Sequence, residues 1–171
     1  MNREIPESEL RLRRILLDAT RLLDDLHASW AIAGAFAADR YRAEHRTTTD
    51  ADLLVEWSDR LPGLLEAAGF TLRIHQDQGE AHLIRAQRDG DALDLIVAGT
   101  PYQHLAIARA RRGELTIEDV LVHKLIAWRL KDRADIASIL STGVQFDAEY
   151  VAHWAGEWEV TDRWSEALTW H

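Results

Sequence analysis

Hydrophobic residues recur at helical spacing near the start of the chain. They fall three or four positions apart and define a single apolar stripe, formed by Leu12, Ile15, Leu16, Ala19, Leu22, Leu23 and Leu26. Charged residues occupy most of the positions between them. This pattern predicts an amphipathic helix from about Ser8 to Leu26, with its apolar face against a core.

Short apolar runs follow, and their lengths are typical of strands. They lie at residues 30–33, 52–57, 70–74, 81–85 and 92–97. Turns are expected at Gln78-Gly79 and Asp89-Gly90, between the last three strands. The segment from Gly34-Ala35 to about Arg42 is predicted to be a helix. A further helix is predicted to begin after an N-cap at Ser58 and to end at Gly69.

The second half of the chain has helical signals. Thr100 before Pro101 resembles an N-cap with proline at the first helical position, which predicts a helix to about Arg112. Thr116 is expected to cap the next helix. From Ile117 onward the pattern is helical to the end, with breaks near Gly143 and around residues 160–161.

These elements predict an α+β fold, in which a small twisted mixed sheet flanked by helices is followed by a helical C-terminal part. We place the core with the N-terminal helix at residues 1–115 and the helical part at residues 116–171, packed on the same core.

Two aspartates stand at the entrance to one apolar run. Asp50 and Asp52 are separated by a single residue, so on a strand their side chains point to the same face. Carboxylates this close repel each other unless a cation lies between them. An oxygen-rich site without thiols suits Mg²⁺ or Mn²⁺ together with a substrate phosphate, although most such pairs are ordinary surface residues.

A third aspartate, Asp94, lies inside the apolar strand 92–97. A buried carboxylate is costly without a partner, so one is expected. The partner is either a metal ion shared with the other two aspartates or a local arginine, Arg85 or Arg88.

Two further features fit a phosphate site, and each has an ordinary alternative. The Gly34-Ala35 turn between a strand and a helix lets backbone N–H groups approach a phosphate, but it also suits close packing. Lys124 falls on the apolar face of its helix. It either extends its amine to the surface or meets a fixed anion, such as a phosphate or Asp132.

Composition narrows the possible functions. The chain of 171 residues is 47% hydrophobic and 29% charged, as expected of a globular protein with a substantial core. It has no cysteine, which excludes thiolate chemistry, and its net charge of -9 argues against a broad nucleic-acid-binding face. No apolar run approaches the roughly 20 residues that span a bilayer, and no signal segment is evident, so a cytoplasmic protein is expected.

In order and spacing, residues 30–140 resemble the nucleotidyltransferase superfamily of the DNA polymerase β type. The resemblance rests on Gly34-Ala35, on Arg46-x-Thr48-x-Asp50-x-Asp52 and on Asp94. A later run is similar to minimal nucleotidyltransferases related to AbiEii-type abortive-infection toxins. That run comprises Thr100-Pro101, Ala106-x-x-Arg109-Ala110, Glu118-Asp119 and Lys124-Leu125-x-Ala127-x-Arg129-x-Lys131-Asp132-x-x-Asp135.

The resemblance implies a role for each matching residue. Metal ligands would be Asp50, Asp52 and Asp94, and the catalytic set would add Lys124 and Asp132. Nucleotide-binding residues would be Gly34, Ala35, Arg46, Thr48 and Lys124. Arg46 could meet the γ-phosphate, and Asp132 and Asp135 would orient Lys124 or assist proton transfer. The family usually has Gly-Gly or Gly-Ser at the turn, so Ala35 is a departure that removes a serine contact.

We therefore expect a Mg²⁺- or Mn²⁺-dependent enzyme that moves a nucleoside monophosphate from a nucleoside triphosphate such as ATP to a hydroxyl. The acceptor is an RNA end, a protein or a small molecule. Two alternatives remain: a non-catalytic nucleotide sensor or toxin–antitoxin partner, and an aminoglycoside or lincosamide adenylyltransferase. Trp154, Trp158, Trp164 and Trp170 are expected to pack on the core, with base stacking or an oligomer contact as the alternative.

Overall fold

The computed structural model describes residues 5–170, which form five strands and eight helices. The strands are β1 (Trp30–Ile32), β2 (Asp50–Val55), β3 (Thr71–Asp77), β4 (Glu80–Arg88) and β5 (Asp91–Val97). The helices are α1 (Glu7–Asp25), α2 (Gly34–Asp39), α3 (Leu61–Ala67), α4 (Pro101–Arg109), α5 (Ile117–Ala127), α6 (Leu130–Ser141), α7 (Ala148–Glu157) and α8 (Thr161–Ala167).

The strands form one mixed sheet in the order β1-β2-β5-β4-β3. Strands β2 and β5 are parallel, and the other neighbours are antiparallel. The mixed sheet with flanking helices confirms the predicted α+β fold class. Because β5 lies directly beside β2, residues from distant parts of the sequence share one face at the centre of the sheet.

Each face of the sheet has its own apolar core. Helices α1 and α3 cover one face, where Leu12 and Leu65 pack with Leu53 and Leu93. On the opposite face, Leu54 belongs to a second core built largely by the helices after β5. The division of the chain at residues 115 and 116 stays a prediction.

Both predicted hairpin turns are present. Gln78 and Gly79 join β3 to β4, and Asp89 and Gly90 join β4 to β5. All four residues have positive φ, between 49° and 88°, which is the conformation of the tight turns that join antiparallel strands. The turn chemistry visible in the sequence was therefore sufficient to locate the β3-β4-β5 meander.

Several predicted boundaries shift. Strand β2 begins at Asp50 rather than Asp52, so both aspartates lie within the ladder. Ser58 is not the N-cap of α3, which begins at Leu61. Pro62 lacks a backbone N–H and is tolerated only in the first turn of a helix, so it fixes a later start. Helices α2 and α4 end three residues earlier than expected.

An unpredicted break separates α5 from α6. Trp128 ends α5 in the left-handed conformation, with φ of 51°, and α6 begins at Leu130. The apolar pattern continues across this point, so periodicity gave no sign of it. The break turns the start of α6 back toward the C-terminal end of α5.

The tryptophans of the C-terminal part pack against other side chains. The rings of Trp154 and Trp158 lie beside Tyr102, and Trp164 is buried next to Phe146. Trp170 stacks on Trp128 with ring centroids 5.8 Å apart. Among residues 5–170, none of the helices has both the length and the apolar character that crossing a membrane requires.

Candidate active site

The three aspartates share one face of the sheet. Asp52 and Asp94 are direct partners in the parallel register of β2 and β5, and Asp50 lies two residues before Asp52. Residues two apart on a strand point the same way, and register partners do so as well. Three carboxylates from two separate strands therefore lie on the same face of the sheet, two of them in direct register.

Asp52 is the carboxylate most affected by this arrangement. Burial, reinforced by the charges of Asp50 and Asp94, raises its pKa to about 6. A carboxylate that resists ionisation near other carboxylates is a site where a bound cation would be strongly favoured. The repulsion between neighbouring carboxylates that the sequence predicts is thus present in the folded chain.

The Gly34 turn touches Asp52 directly. Gly34 has φ of +59°, a left-handed conformation that favours glycine. A Cβ at this position would lie 1.8 Å from the Asp52 Oδ2. Because both the backbone angle and the contact exclude a side chain, glycine is required here for the carboxylate to keep its place, and the turn with Ala35 adjoins the acidic cluster.

Asp94 already has a cationic partner. The Arg85 Nε donates to the Asp94 Oδ1 at 2.8 Å, and the Arg85 Nη2 donates to Oδ2 at 2.6 Å. This confirms the arginine that the sequence offered as the local alternative to a metal. Within the described residues, no three His, Cys, Asp or Glu side chains are grouped as a ready metal site. The three-ligand site therefore stays a prediction.

Thr48 contacts Asp50. Its buried hydroxyl donates to the Asp50 carbonyl at 2.9 Å and lies 3.0 Å from the Oδ1 of the same residue. The hydroxyl thereby restrains the carboxylate and the start of β2. A direct contact from Thr48 to a nucleotide stays a prediction.

A pocket of about 110 Å³ lies between the sheet and the C-terminal helices. It brings together candidates from three parts of the sequence, and its lining includes Gly34, Asp52, Lys124, Arg129 and Asp132. The pocket joins the acidic cluster to the basic residues of α5 and α6.

Lys124 meets a fixed anion rather than solvent. Its side chain is buried, and its Nζ lies 2.6 Å from the Asp135 Oδ2 and 3.6 Å from the Asp132 Oδ1. In one straight helix, residues 11 positions apart would be about 16 Å apart along the axis. The break at Trp128 brings Asp135 back onto Lys124.

Asp135 is the centre of a buried ion cluster. Arg42 Nη1 donates to its Oδ1 at 2.7 Å, and Arg46 Nη2 donates to its Oδ2 at 3.0 Å. Burial alone would raise the pKa of Asp135, but hydrogen bonds from Arg46 and Lys124 outweigh it and lower the pKa to about 2. Arg46 is thus tied to Asp135, and its role as a nucleotide-binding residue stays a prediction.

Asp132 is held by Arg129, whose Nε donates to the Asp132 Oδ2 at 2.7 Å. The Arg129 backbone N–H also donates to this oxygen at 3.1 Å, which fixes the start of α6. The carboxylate is buried while the guanidinium is largely exposed at the pocket rim. Asp132 can therefore orient both Lys124 and Arg129.

The donor set suits a hard divalent cation. Asp50 and Asp52 supply oxygen ligands in a position that favours positive charge, and Asp94 is adjacent to them in the register. Both oxygens of Asp94 accept from Arg85, so a turn of this carboxylate toward a cation would break at least one of these hydrogen bonds. The oxygen donors fit Mg²⁺ or Mn²⁺, with one of the three carboxylates held by an arginine.

Sequence reasoning missed three residues of this region. His123 lines the pocket, and its buried Nε2 has no hydrogen-bond partner among residues 5–170; burial lowers its pKa to about 4. Arg42 anchors Asp135, and the only local signal was its spacing from Asp39, with which it pairs at 2.6 Å. Arg73 lies opposite Arg85 on β3, and alternation along that strand could have identified it.

Comparison by sequence identifies no relative. No protein-family model matches the chain, and no curated protein matches it significantly.

Comparison by structure gives clear matches. The antibiotic-resistance factor ANT(2'')-Ia is similar with a TM-score of 0.59 at 18% identity, over 95% of this chain and 96% of that one. A putative nucleotidyltransferase from H. pylori has a TM-score of 0.57 at 17% identity, over 95% and 82%. An antigenic nucleotidyltransferase-like protein from Paracoccidioides brasiliensis has a TM-score of 0.51 at 18% identity, over 92% and 91%.

These proteins are remote in sequence, yet the alignments cover 92–95% of this chain. The chain therefore has the nucleotidyltransferase fold.

Proposed function

We propose that this protein is a divalent-metal-dependent nucleotidyltransferase. It transfers a nucleoside monophosphate from a nucleoside triphosphate to a hydroxyl acceptor and releases pyrophosphate. The observation that supports the proposal is that Asp50, Asp52 and Asp94 lie on one face of the sheet, with Asp52 against the Gly34 turn.

The carboxylates form the reaction centre in this proposal. Asp50 and Asp52 would hold the cation, and Asp94, which now accepts from Arg85, is the third candidate ligand. Mg²⁺ or Mn²⁺, when bound, supplies Lewis-acid stabilisation of the charge that develops on the phosphate oxygens.

Bond changes in the transfer are simple. The acceptor oxygen forms a bond to the α-phosphorus, and the bond between the α-phosphorus and the bridging oxygen to the β-phosphate breaks. The electron pair leaves with pyrophosphate, and the hydroxyl proton goes to a carboxylate beside the acceptor, for which Asp94 is the candidate.

Positive groups on the other side of the pocket bind the triphosphate. Lys124 neutralises phosphate charge, and Asp132 and Asp135 hold its amine toward the pocket. Arg129 at the rim supplies a second cation. The backbone at Gly34 and Ala35 and the side chains of Arg46 and Thr48 remain the other candidate nucleotide contacts.

The direct test is transfer of label from an α-labelled nucleoside triphosphate, with Mg²⁺ and a pool of acceptors. Asp50→Asn and Asp52→Asn are each expected to abolish transfer, since a neutral amide cannot replace an anionic ligand. Asp89→Asn, at an exposed turn outside the site, serves as the matched control and should retain it. Undiminished transfer in either site variant would refute the assignment.

One observation favours a second candidate, a non-catalytic nucleotide sensor or toxin–antitoxin partner on the same fold. Arg85 occupies Asp94 with two hydrogen bonds, as a permanent structural ion pair would. Calorimetry with Mg²⁺ and each nucleoside triphosphate separates the two candidates. Binding without turnover on any acceptor would support the sensor, whereas turnover would exclude it.

A further inference from the structure

A row of charged side chains crosses four strands of the sheet. In register, Asp52 lies beside Asp94, Asp94 beside Arg85, and Arg85 beside Arg73. Register partners point to the same face, so the row runs from two carboxylates to two arginines. We call Arg73 and Arg85 the arginine rung.

The arginine rung is open to solvent. Both arginines are exposed. Thr71 and Gln87 are also exposed; they are register partners on the same face, two residues further along the strands. These four side chains and Leu72 line a shallow pocket. The helices α1 and α3 cover the opposite face, so this part of the sheet is accessible directly beside Asp94.

The charges of the rung are not balanced within the described residues. Arg85 pairs with Asp94, but Arg73 has no salt-bridge partner in residues 5–170. Like charges directly opposite each other on neighbouring strands are destabilising. Arg73 is therefore a guanidinium without a carboxylate partner among these residues, beside the Arg85–Asp94 pair, on a protein whose net charge is -9.

The arginine rung lies next to the place where the proposed reaction puts the acceptor. The attacking hydroxyl must lie beside Asp94, and neighbouring strands are about 4.8 Å apart. Asp52 and the nucleotide pocket lie on one side of Asp94, so the body of the acceptor extends over the other side, across β4 and β3. Any acceptor placed there contacts the arginine rung.

We propose that the arginine rung binds a phosphate group of the acceptor, which makes the acceptor an anionic molecule with its hydroxyl near that phosphate. This inference rests on the proposed function. Guanidinium groups bind phosphate through paired hydrogen bonds, and Thr71 and Gln87 supply further polar contacts. If Asp94 were shared with a cation, Arg85 would be available to bind the phosphate.

The inference discriminates between acceptor classes. An aminoglycoside is polycationic and is repelled by two arginines beside the attack position. A phosphodiester chain end and a small phosphorylated metabolite both carry the required group. The strong negative charge of the remaining protein limits the contact with a nucleic acid to its terminal phosphates.

Binding of three probes tests the inference: a short single-stranded RNA with a free 3′-hydroxyl, ribose 5-phosphate, and an aminoglycoside. Each is titrated by calorimetry with Mg²⁺, with and without a non-hydrolysable nucleotide. We compare the unchanged chain, Arg73→Gln, and Arg60→Gln as a matched exposed control.

At least one phosphate-bearing probe is expected to bind, and Arg73→Gln should weaken it about tenfold without changing nucleotide affinity. Arg60→Gln should change neither affinity. If only the RNA binds, the acceptor is a phosphodiester chain end. If ribose 5-phosphate binds, the acceptor is a small phosphorylated molecule. Phosphate binding that is absent, or unaffected by Arg73→Gln, or weaker than aminoglycoside binding, overturns the inference.

The two proposals fail separately. If the unchanged chain does not bind a nucleotide, the proposed transferase function is refuted. The probe titrations without nucleotide would still measure whether the arginine rung binds phosphate. Conversely, if the chain binds a nucleotide but the arginine rung binds no phosphate, only the inferred class of acceptor is refuted.

Discussion

Gly34 connects backbone conformation to the chemistry of the site. Its left-handed φ and its contact with Asp52 are separate constraints, and the sequence shows only a glycine before an alanine. The turn was predicted from residue type, but the carboxylate it touches was not. That contact depends on the pairing of β1 with β2, which brings residues 18 positions apart together.

Gly34→Ala tests the contact. Positive φ alone should cost about 1 kcal/mol, and displacement of Asp52 should add to this and weaken Mg²⁺-dependent nucleotide binding. Gly143→Ala is the matched control, because Gly143 has φ of +67° and no atom within 4 Å of an added Cβ. Chemical unfolding and calorimetry provide the measurements. Equal losses in the two variants would contradict the role of the contact.

Asp52→Asn should stabilise the protein when no cation is present. Burial and two neighbouring carboxylates raise the pKa of Asp52 to about 6, so its charge at neutral pH opposes folding. A neutral amide of the same shape removes this cost, and we expect a gain of about 1–3 kcal/mol in the free energy of unfolding. Urea unfolding in excess chelator measures it, with Asp89→Asn as control. A less stable variant would contradict the account.

Residue-level chemistry was the most predictable part of the site. Alternation places Asp50 and Asp52 on one face, and the cost of a buried charge predicts a partner for Asp94. The partners of Asp135 were not predictable, because Arg42 and Arg46 reach it from 93 and 89 residues away. No local pattern encodes such contacts.

At the scale of elements, the break between α5 and α6 has the largest functional consequence. Apolar periodicity predicted helices on both sides but no interruption, since Trp128 is itself apolar and belongs to the same stripe. The interruption depends on a left-handed residue that is neither glycine nor asparagine. Without it, Lys124 and Asp135 could not form their buried pair.

The stability of this helix pair should depend on acidity. The pKa of Asp135 is lowered to about 2, so its contribution is complete above about pH 4 and is lost as the pH falls toward 2. The shift corresponds to about 2 kcal/mol. Urea unfolding at several pH values should show this loss.

Asp135→Asn should remove this pH dependence and should cost about 3 kcal/mol at neutral pH, because it leaves Lys124 and Arg42 buried without their anion. Asp89→Asn should keep the wild-type profile. If the acid-induced loss persisted unchanged in Asp135→Asn, the buried cluster would not be its source.

At the scale of the whole molecule, strand order is what assembles the site. Local patterns located all five strands, but not the insertion of β5 between β2 and β4. That insertion places Asp94 beside Asp52 and presents Arg85 to it from the next strand. Strand order depends on long-range packing, which local sequence patterns do not encode.

The same strand order produces a charge gradient across the sheet. Carboxylates lie at its centre and arginines toward the β3 edge, while the triphosphate-binding candidates lie across the pocket on α5 and α6. In the proposed reaction, this separation would give the nucleotide and the acceptor different approaches to the carboxylates. It follows from the fold rather than from any single motif.

A crystal structure with Mn²⁺ and a non-hydrolysable nucleoside triphosphate tests the central claim most directly. We predict manganese about 2.1 Å from oxygens of Asp50 and Asp52, with Asp94 turned from Arg85 toward the metal and the triphosphate near Lys124. The claim would be contradicted if, at saturating Mn²⁺, no metal lay between Asp50 and Asp52 and Asp94 were still paired with Arg85.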